Sequence, residues 1–166
     1  MVKILVIGSG AREHAIIKSL NKSKKEKQIY CLASNDNPGI SDICKEMKII
    51  DINDAQLIKD YSIKQSINIA IIGPENPLAC GVSDSLWETG IGVIGPKKNL
   101  AQIETSKSFT RNLLKEYKIP GCPKFKTFTN MEGVEDFLSL LGENYVVKYD
   151  GLAGGKGVKV AGDHLH

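Results

Sequence analysis

Short apolar runs and longer amphipathic stretches alternate along the first 103 residues of the chain. The apolar runs are rich in Ile, Val and Leu, as in parallel strands that are buried on both faces. They predict strands at Val2–Ile7, Gln28–Ala33, Met47–Ile50, Ile67–Ile72 and Gly92–Ile94. The amphipathic stretches predict helices at Arg12–Lys24, Ala55–Lys64, Pro77–Thr89 and Lys97–Ile103. This alternation predicts an α/β fold built on a doubly wound parallel sheet.

The pattern changes after Gly95-Pro96. Ser106 is a typical N-cap residue and predicts a helix that continues to Tyr117. Farther on, the pattern predicts one helix and three strands, at Met131–Leu141 and at Lys124–Phe128, Tyr145–Tyr149 and Val158–Ala161. We therefore divide the chain into a doubly wound domain, residues 1–103, and the start of an α+β lobe, residues 104–166.

Turns rich in glycine and proline follow four of the five predicted strands of the first domain. These turns are Gly8–Arg12, Asn37-Pro38-Gly39, Gly73–Leu78 and Gly95-Pro96. The carboxyl ends of parallel strands meet at one edge of a sheet, and ligands of such folds bind beyond that edge. We therefore expect the four turns to converge on one binding site.

The turn from Gly8 to Arg12 joins a strand directly to a helix. Its two glycines let the backbone approach an anion, which the free N–H groups and the dipole of the helix would face. A dinucleotide fingerprint would have a third glycine at position 13, but Glu13 occupies that position. The turn therefore favours a phosphate over NAD, and we expect Glu13 and His14 to help hold it.

Arg12 and Glu75 are each open to two interpretations. Arg12 opposes the helix dipole and needs an anion, which is either a bound phosphate or the carboxylate of Glu13. Glu75 follows a very apolar strand. Its carboxylate either accepts hydrogen bonds from ribose hydroxyls or stabilises the start of the next helix.

A second glycine-rich loop runs from Gly151 to Gly157 between two predicted strands. Exposed backbone N–H groups in such a loop can surround a polyphosphate, and Lys148 and Lys156 add positive charge. The loop is not a Walker A motif, because no Gly-Lys-Ser/Thr is present and a strand follows it. The alternative to a nucleotide-phosphate site is a glycine-rich hairpin without a ligand.

Five motifs in this order closely resemble the phosphoribosylamine–glycine ligase (glycinamide ribonucleotide synthetase) family of ATP-grasp enzymes. The motifs are Gly8-x-Gly10-x-Arg12-Glu13-His14-Ala15, Gly73-Pro74-Glu75-x-Pro77-Leu78, Gly95-Pro96, Ser106-Lys107-x-Phe109 and Lys148-x-Asp150-Gly151-Leu152-Ala153-x-Gly155-Lys156-Gly157-Val158. The resemblance covers essentially the whole chain. It implies a Rossmann-like domain that precedes an ATP-grasp domain, of which the chain contains the first, incomplete lobe.

The resemblance implies a ligase of purine synthesis with three small-molecule substrates: 5-phosphoribosylamine, glycine and ATP. It implies that the first domain binds the ribose phosphate through Gly8, Gly10, Arg12, Asn37, Gly39 and Glu75. It implies that the second part binds ATP through Lys107, Lys148, Gly151, Gly154, Gly155, Lys156 and Gly157. Asp150 is expected to fix the second loop rather than to bind a metal.

Members of this family are longer than 166 residues, and the chain looks like their N-terminal part. The chemistry needs Mg²⁺ or Mn²⁺, whose carboxylate ligands are expected outside this chain. We therefore expect no complete catalytic set here and no activity of the chain alone, and we expect the full-length form to be a monomer. The alternatives are an NAD-dependent oxidoreductase domain and a non-catalytic module that binds ribose phosphate.

The composition excludes several partners. With 22 Lys and Arg against 19 Asp and Glu, the net charge of +3 is too balanced to indicate a nucleic acid. The four cysteines, Cys31, Cys44, Cys80 and Cys122, are widely spaced, which predicts reduced thiols in a cytoplasmic protein and no metal site. No apolar run approaches the roughly 18 residues of a membrane helix, so no membrane partner is expected.

Overall fold

The structure is a computed structural model that describes residues 1–165. The chain forms two compact units, of which the first spans Met1–Ala101 and the second begins at Gln102.

The first unit contains a parallel sheet of five strands in the order β3-β2-β1-β4-β5. The strands are β1 Val2–Ile7, β2 Lys27–Ala33, β3 Glu46–Ile49, β4 Ile69–Ile72 and β5 Gly92–Ile94. The connecting helices are α1 Ala11–Lys22, α2 Pro38–Ser41, α3 Ala55–Gln65, α4 Glu75–Ala79, α5 Val82–Trp87 and α6 Lys98–Thr105. The predicted α/β fold with a doubly wound parallel sheet is confirmed.

Helices cover both faces of this sheet. Leu5 and Ile7 point to one face, where they pack in a cluster with residues of α3, α4, α5 and α6. Ile4 and Val6 point to the other face, toward Ile17 of α1 and other apolar residues. Because alternate residues from Ile4 to Ile7 are buried on opposite faces, this part of β1 is apolar, and each such side chain contributes about 1.5–3 kcal/mol on burial.

Two predictions for the first unit need correction. The single helix predicted at Pro77–Thr89 is two short helices, α4 and α5. Gly81 separates them in the left-handed region at φ 85°, a conformation that interrupts a right-handed helix. The short helix α2, which begins at Pro38, was not predicted because four residues are too few to show a periodicity.

The second unit contains α7 Lys107–Glu116, α8 Val134–Leu141 and an antiparallel pair, β6 Val146–Lys148 and β7 Val158–Val160. The predicted N-cap at Ser106 is confirmed, since its hydroxyl accepts a hydrogen bond from the N–H of Phe109 at 3.1 Å. The predicted strand at Lys124–Phe128 is wrong. Within residues 1–165 this segment has no neighbouring strand, and an extended segment forms a strand only where a partner pairs with it.

The two units differ in how they bury apolar side chains. Every fully buried apolar residue of the described chain belongs to the first unit, up to Ala101. In the second unit large apolar side chains such as Met131, Leu140 and Tyr149 are exposed. The well-packed core of the described residues therefore surrounds the parallel sheet. No helix in residues 1–165 has the length and apolar character needed to cross a bilayer.

Candidate phosphate-binding sites

The strand register brings the loops after β1, β2 and β4 together at one edge of the sheet. Ile7 at the end of β1 pairs with Leu32 of β2 on one side and with Ile72 of β4 on the other. The N–H of Gly8 donates to the carbonyl of Leu32 at 2.8 Å, and the N–H of Gly73 donates to the carbonyl of Ile7 at 3.0 Å. The predicted convergence of these loops at the carboxyl edge is therefore present.

Helix α1 begins at this edge with three backbone donors that have no hydrogen-bond partner among the described residues. Gly10 is the N-cap, and the first helical hydrogen bond runs from the N–H of His14 to the carbonyl of Gly10 at 3.0 Å. The backbone N–H groups of Ala11, Arg12 and Glu13 precede that bond and have no carbonyl partner within the helix. Together with the positive end of the helix dipole, they form a cradle suited to an anion.

The side chain of Glu13 turns back under this cradle. It is only 4% exposed, and its Oε2 accepts a hydrogen bond from the N–H of Gly10 at 2.7 Å. Glu13 thus holds the turn, as expected from the sequence. The contact uses the amide of Gly10, so that group is turned toward the protein.

Arg12 does not pair with Glu13. Its Nη1 donates a hydrogen bond to the carbonyl of Gly73 at 2.5 Å, and the guanidinium is exposed. The suggestion that the neighbouring carboxylate serves as its anion is therefore wrong. The contact leaves other N–H groups of the planar guanidinium free to face an anion at the same edge. A phosphate contact for Arg12 stays a prediction.

The loop after β2 is attached to the same turn. The amide Nδ2 of Asn37 donates to the carbonyl of Ser9 at 2.8 Å. His14 packs against Gly39, where an added Cβ would lie 2.5 Å from Cε1 and 2.7 Å from Nε2 of the imidazole. Asn37 and Gly39 are therefore brought to the Gly8–Gly10 turn, although their contact with a substrate remains untested.

Glu75 is the first residue of α4 and follows Gly73 and Pro74 at the carboxyl end of β4. Its side chain is partly exposed and makes no hydrogen bond or ion pair within residues 1–165. This position stabilises the N-terminus of α4 and also leaves the carboxylate oxygens available to a ribose. Both interpretations therefore still hold.

The second glycine-rich loop connects β6 to β7 as a closed hairpin. The N–H of Tyr149 donates to the carbonyl of Gly157 at 2.8 Å, and the N–H of Lys156 donates to the carbonyl of Ala153 at 2.9 Å. Gly154 and Gly155 have positive φ angles of 53° and 79°, and an added Cβ on either would meet no atom within 4 Å. The tip of the loop is therefore open to a ligand. Lys148 and Lys156 are exposed.

The base of this loop is tied to the start of α7. One carboxylate oxygen of Asp150 accepts hydrogen bonds from the backbone N–H of Lys107 at 2.7 Å and of Ser108 at 3.2 Å. The hydroxyls of Ser106 and Ser108 also donate to this carboxylate. These bonds, led by the one from the Ser108 hydroxyl, lower the pKa of Asp150 below its ordinary value. Asp150 thus fixes the loop, as expected.

Lys107 adds a second tie. Its Nζ donates to the carbonyl of Gly151 at 2.7 Å. The sequence predicts Lys107 as a contact of the nucleotide phosphates, and in this structure its ammonium is held by the loop that would bind them. The role of Ser108 was missed, because nothing in the local pattern shows that it meets a carboxylate 42 residues away.

The thiols of Cys31 and Cys44 have low reactivity because they are shielded from solvent. All four cysteines are free, and the Sγ of Cys31 donates to the carbonyl of Gly8 at 3.3 Å. Burial raises the pKa of Cys31 to about 12 and that of Cys44 to about 11. Neither thiol is therefore a nucleophile near neutral pH.

The two units match two consecutive models of one family. Residues 2–104 match the N domain of phosphoribosylglycinamide synthetase, and residues 105–165 match its ATP-grasp (A) domain. The chain belongs to the phosphoribosylglycinamide synthetase family. The matched residues include the Gly8–Arg12 turn of the first unit and the Gly151–Gly157 loop of the second.

Curated relatives carry the name phosphoribosylamine–glycine ligase. One from Methanosarcina barkeri is 46% identical over 99% of this chain, and one from Methanococcus maripaludis is 48% identical over the same share. In both cases the match covers 38% of the relative. The chain thus spans well under half the length of the relatives that it matches.

Several solved structures share this fold. The biotin carboxylase domain of the Hydrogenobacter thermophilus 2-oxoglutarate carboxylase has a TM-score of 0.75 at 17% identity and covers 96% of this chain and 37% of its own. A phosphoribosylglycinamide synthetase from Anaerococcus prevotii has a TM-score of 0.62 at 13% identity over 96% of this chain and 38% of its own. At such identities these likenesses establish the fold alone.

Proposed function

We propose that this chain supplies the ribose-phosphate site and the phosphate loop of an ATP-dependent ligase that joins glycine to 5-phosphoribosylamine. Membership of the phosphoribosylglycinamide synthetase family and the names of relatives at 46% and 48% identity support the reaction. The observation that carries the site is the cradle at the start of α1. It combines three free backbone donors with the exposed guanidinium of Arg12.

In the proposed reaction, the carboxylate of glycine attacks the γ-phosphorus of ATP, forms an acyl phosphate and releases ADP. The amine of 5-phosphoribosylamine then attacks the acyl carbon, the C–O bond to phosphate breaks, and the amine loses a proton. The products are glycinamide ribonucleotide, ADP and phosphate. Most of the catalytic effect in such chemistry comes from positioning and from stabilising negative charge.

The residues of the two sites would contribute as follows. The amides of Ala11 and Arg12 and the Arg12 guanidinium would hold the 5-phosphate, and Glu75 would accept hydrogen bonds from ribose hydroxyls. The amides of the loop tip, together with Lys148 and Lys156, would hold the phosphates of ATP. The likeness to structures solved with ADP and with its magnesium salt supports a nucleotide here.

A divalent metal belongs to this proposal, since ATP is used with one in such chemistry. Within residues 1–165 no group of three His, Cys, Asp or Glu side chains is arranged to hold a metal ion. The described residues therefore do not fit a metal site by themselves. We propose that the reaction takes place in the cytoplasm, which the four free cysteines support.

Binding of ribose 5-phosphate to the purified chain, measured by calorimetry, tests the first site. Gly10→Val should weaken it about tenfold or more, because an added Cβ would lie 3.0 Å from Oε2 of Glu13 and a branched side chain would crowd the turn that presents the free amides. Gly10 has φ −78° and ψ −177°, so valine is compatible with its backbone. The matched control is Ser23→Val, an exposed position of extended backbone at the other end of α1.

If Gly10→Val binds ribose 5-phosphate as tightly as the parent chain does, the anion site lies elsewhere. Tight binding of NADH without binding of ribose 5-phosphate would instead support the oxidoreductase alternative. Phosphate release with ATP, Mg²⁺, glycine and phosphoribosylamine tests the activity directly. We expect no turnover by the chain alone, because the described residues gather no metal ligands.

A further inference from the structure

Glu13 contacts the backbone of two loops at once. Its Oε2 accepts the N–H of Gly10 in the loop after β1. A Cβ added to Gly73, in the loop after β4, would lie 2.0 Å from its Oε1. A Cβ added to Gly8 would lie 2.8 Å from its Cδ. The side chain of Glu13 therefore fills the space between the two loops.

The glycine at position 73 is explained by this side chain and not by its backbone conformation. Gly8 has φ 117°, which favours glycine in any case, whereas Gly73 is not among the residues with positive φ. A residue with a Cβ could adopt the backbone of Gly73, but its Cβ would overlap the Glu13 carboxylate. Gly73 is thus needed because Glu13 is there.

Burial of a carboxylate is costly unless hydrogen bonds and favourable dipoles compensate for it. Glu13 is 4% exposed and forms no salt bridge within residues 1–165. Its compensation comes from the N–H of Gly10 and from the N-terminal dipole of α1, in whose first turn it lies. The turn therefore offsets the cost of burying this carboxylate.

We infer that Glu13 is a positioning residue of the ribose-phosphate site, an inference that rests on the function proposed above. It turns the N–H of Gly10 inward and leaves the amides of Ala11 and Arg12 to the ligand. It also fixes the position of the Gly73 backbone. The carbonyl of Gly73 accepts a hydrogen bond from Nη1 of Arg12 at 2.5 Å and so orients the guanidinium. Glu13 acts through these backbone groups and does not itself touch the phosphate.

The first test compares Glu13→Ala and Glu13→Gln for their affinity for ribose 5-phosphate. Glu13→Ala should weaken binding about tenfold, because the side chain that fills the space between the loops after β1 and β4 is removed. Glu13→Gln keeps an oxygen that accepts the Gly10 N–H and should restore the affinity to within about threefold of the parent chain. Glu26→Ala, which removes an exposed glutamate side chain just before β2, is the control and should change nothing.

The second test is a double-mutant cycle between positions 13 and 73, read by chemical denaturation and by exchange of the Gly10 amide. Gly73→Ala should strongly destabilise the parent chain but should cost little in the Glu13→Ala background, because the overlapping carboxylate is gone. The Gly10 amide should exchange at least tenfold faster in Glu13→Ala than in Glu13→Gln. These readouts need no ligand and remain available if one single variant folds poorly.

The outcomes separate this inference from the proposed function. If the parent chain does not bind ribose 5-phosphate, the proposed function fails, and the ligand role of Glu13 fails with it, whatever the cycle shows. If the parent chain binds and Glu13→Ala binds equally well, the positioning role is overturned while the proposed function stands. Additive effects of the two substitutions would overturn the claim that Glu13 spaces the two loops.

Discussion

The carboxylate of Asp150 accepts a hydrogen bond from the backbone N–H of Lys107 at 2.7 Å. The same carboxylate accepts the N–H and the hydroxyl of Ser108. A side chain just after β6 thus caps a helix that begins 43 residues earlier. The N-terminus of α7 is therefore occupied by a carboxylate of the chain itself, and the phosphate site at the tip of the Gly151–Gly157 loop stays a prediction.

We expect this cap to weaken in acid. The pKa of Asp150 is lowered from its ordinary value of 3.8, chiefly by the bond from the Ser108 hydroxyl. A depressed pKa means that the stabilisation is complete above pH 3.8 and is lost as the pH falls through the lower pKa of the folded chain. Asp150→Asn should remove this pH dependence. Hydrogen exchange of the Lys107 and Ser108 amides, followed as a function of pH, measures the strength of the cap. Equal exchange profiles for the parent chain and Asp150→Asn would contradict the prediction.

Lys107→Met should weaken the binding of ATP about tenfold. The substitution removes the hydrogen bond from Nζ to the Gly151 carbonyl, and it also removes a positive charge near the loop. Calorimetry with ATP and Mg²⁺ measures the effect. Lys115→Met, at an exposed lysine near the end of the same helix, is the matched control. If both variants bind ATP equally well, Lys107 has no part in this site.

Gly39→Ala should disturb the loop after β2 because of His14. Gly39 does not have a positive φ, so alanine suits its backbone, but an added Cβ would lie 2.5 Å from the imidazole. We expect Gly39→Ala to lower the free energy of unfolding by about 1–3 kcal/mol. The loss should shrink in the His14→Ala background, as measured by urea denaturation. A loss of the same size in both backgrounds would show that another contact is responsible.

Leu32→Ala should lower the free energy of unfolding by about 2–5 kcal/mol, because a fully buried side chain of the central sheet is replaced by a cavity. Ile49→Ala on the neighbouring strand β3 is the control. Because Ile49 is 60% exposed, this substitution should lower the free energy of unfolding by well under half as much. Thermal or urea unfolding of both variants gives the comparison. Similar losses would mean that the parallel sheet does not carry the stability of the chain.

The sequence alone was enough to predict the elements that local periodicity defines. Strands β1 and β5 begin and end at the predicted residues. In β1 the apolar run Ile4–Ile7 is buried on both faces, which is the environment that such a run predicts. The N-cap at Ser106 was also predictable, since a cap is satisfied within its own first turn. The family followed from motifs whose spacing is itself a local property.

Tertiary structure decided the contacts between residues that are distant in sequence. No local pattern shows that Glu13 meets Gly73, because only the parallel register of β1 and β4 brings their loops together. The strand predicted at Lys124–Phe128 has no partner within residues 1–165, and hydrogen bonds between strands need one. Periodicity determines what a segment can form, whereas pairing and packing across the chain determine what it does form and which side chains meet.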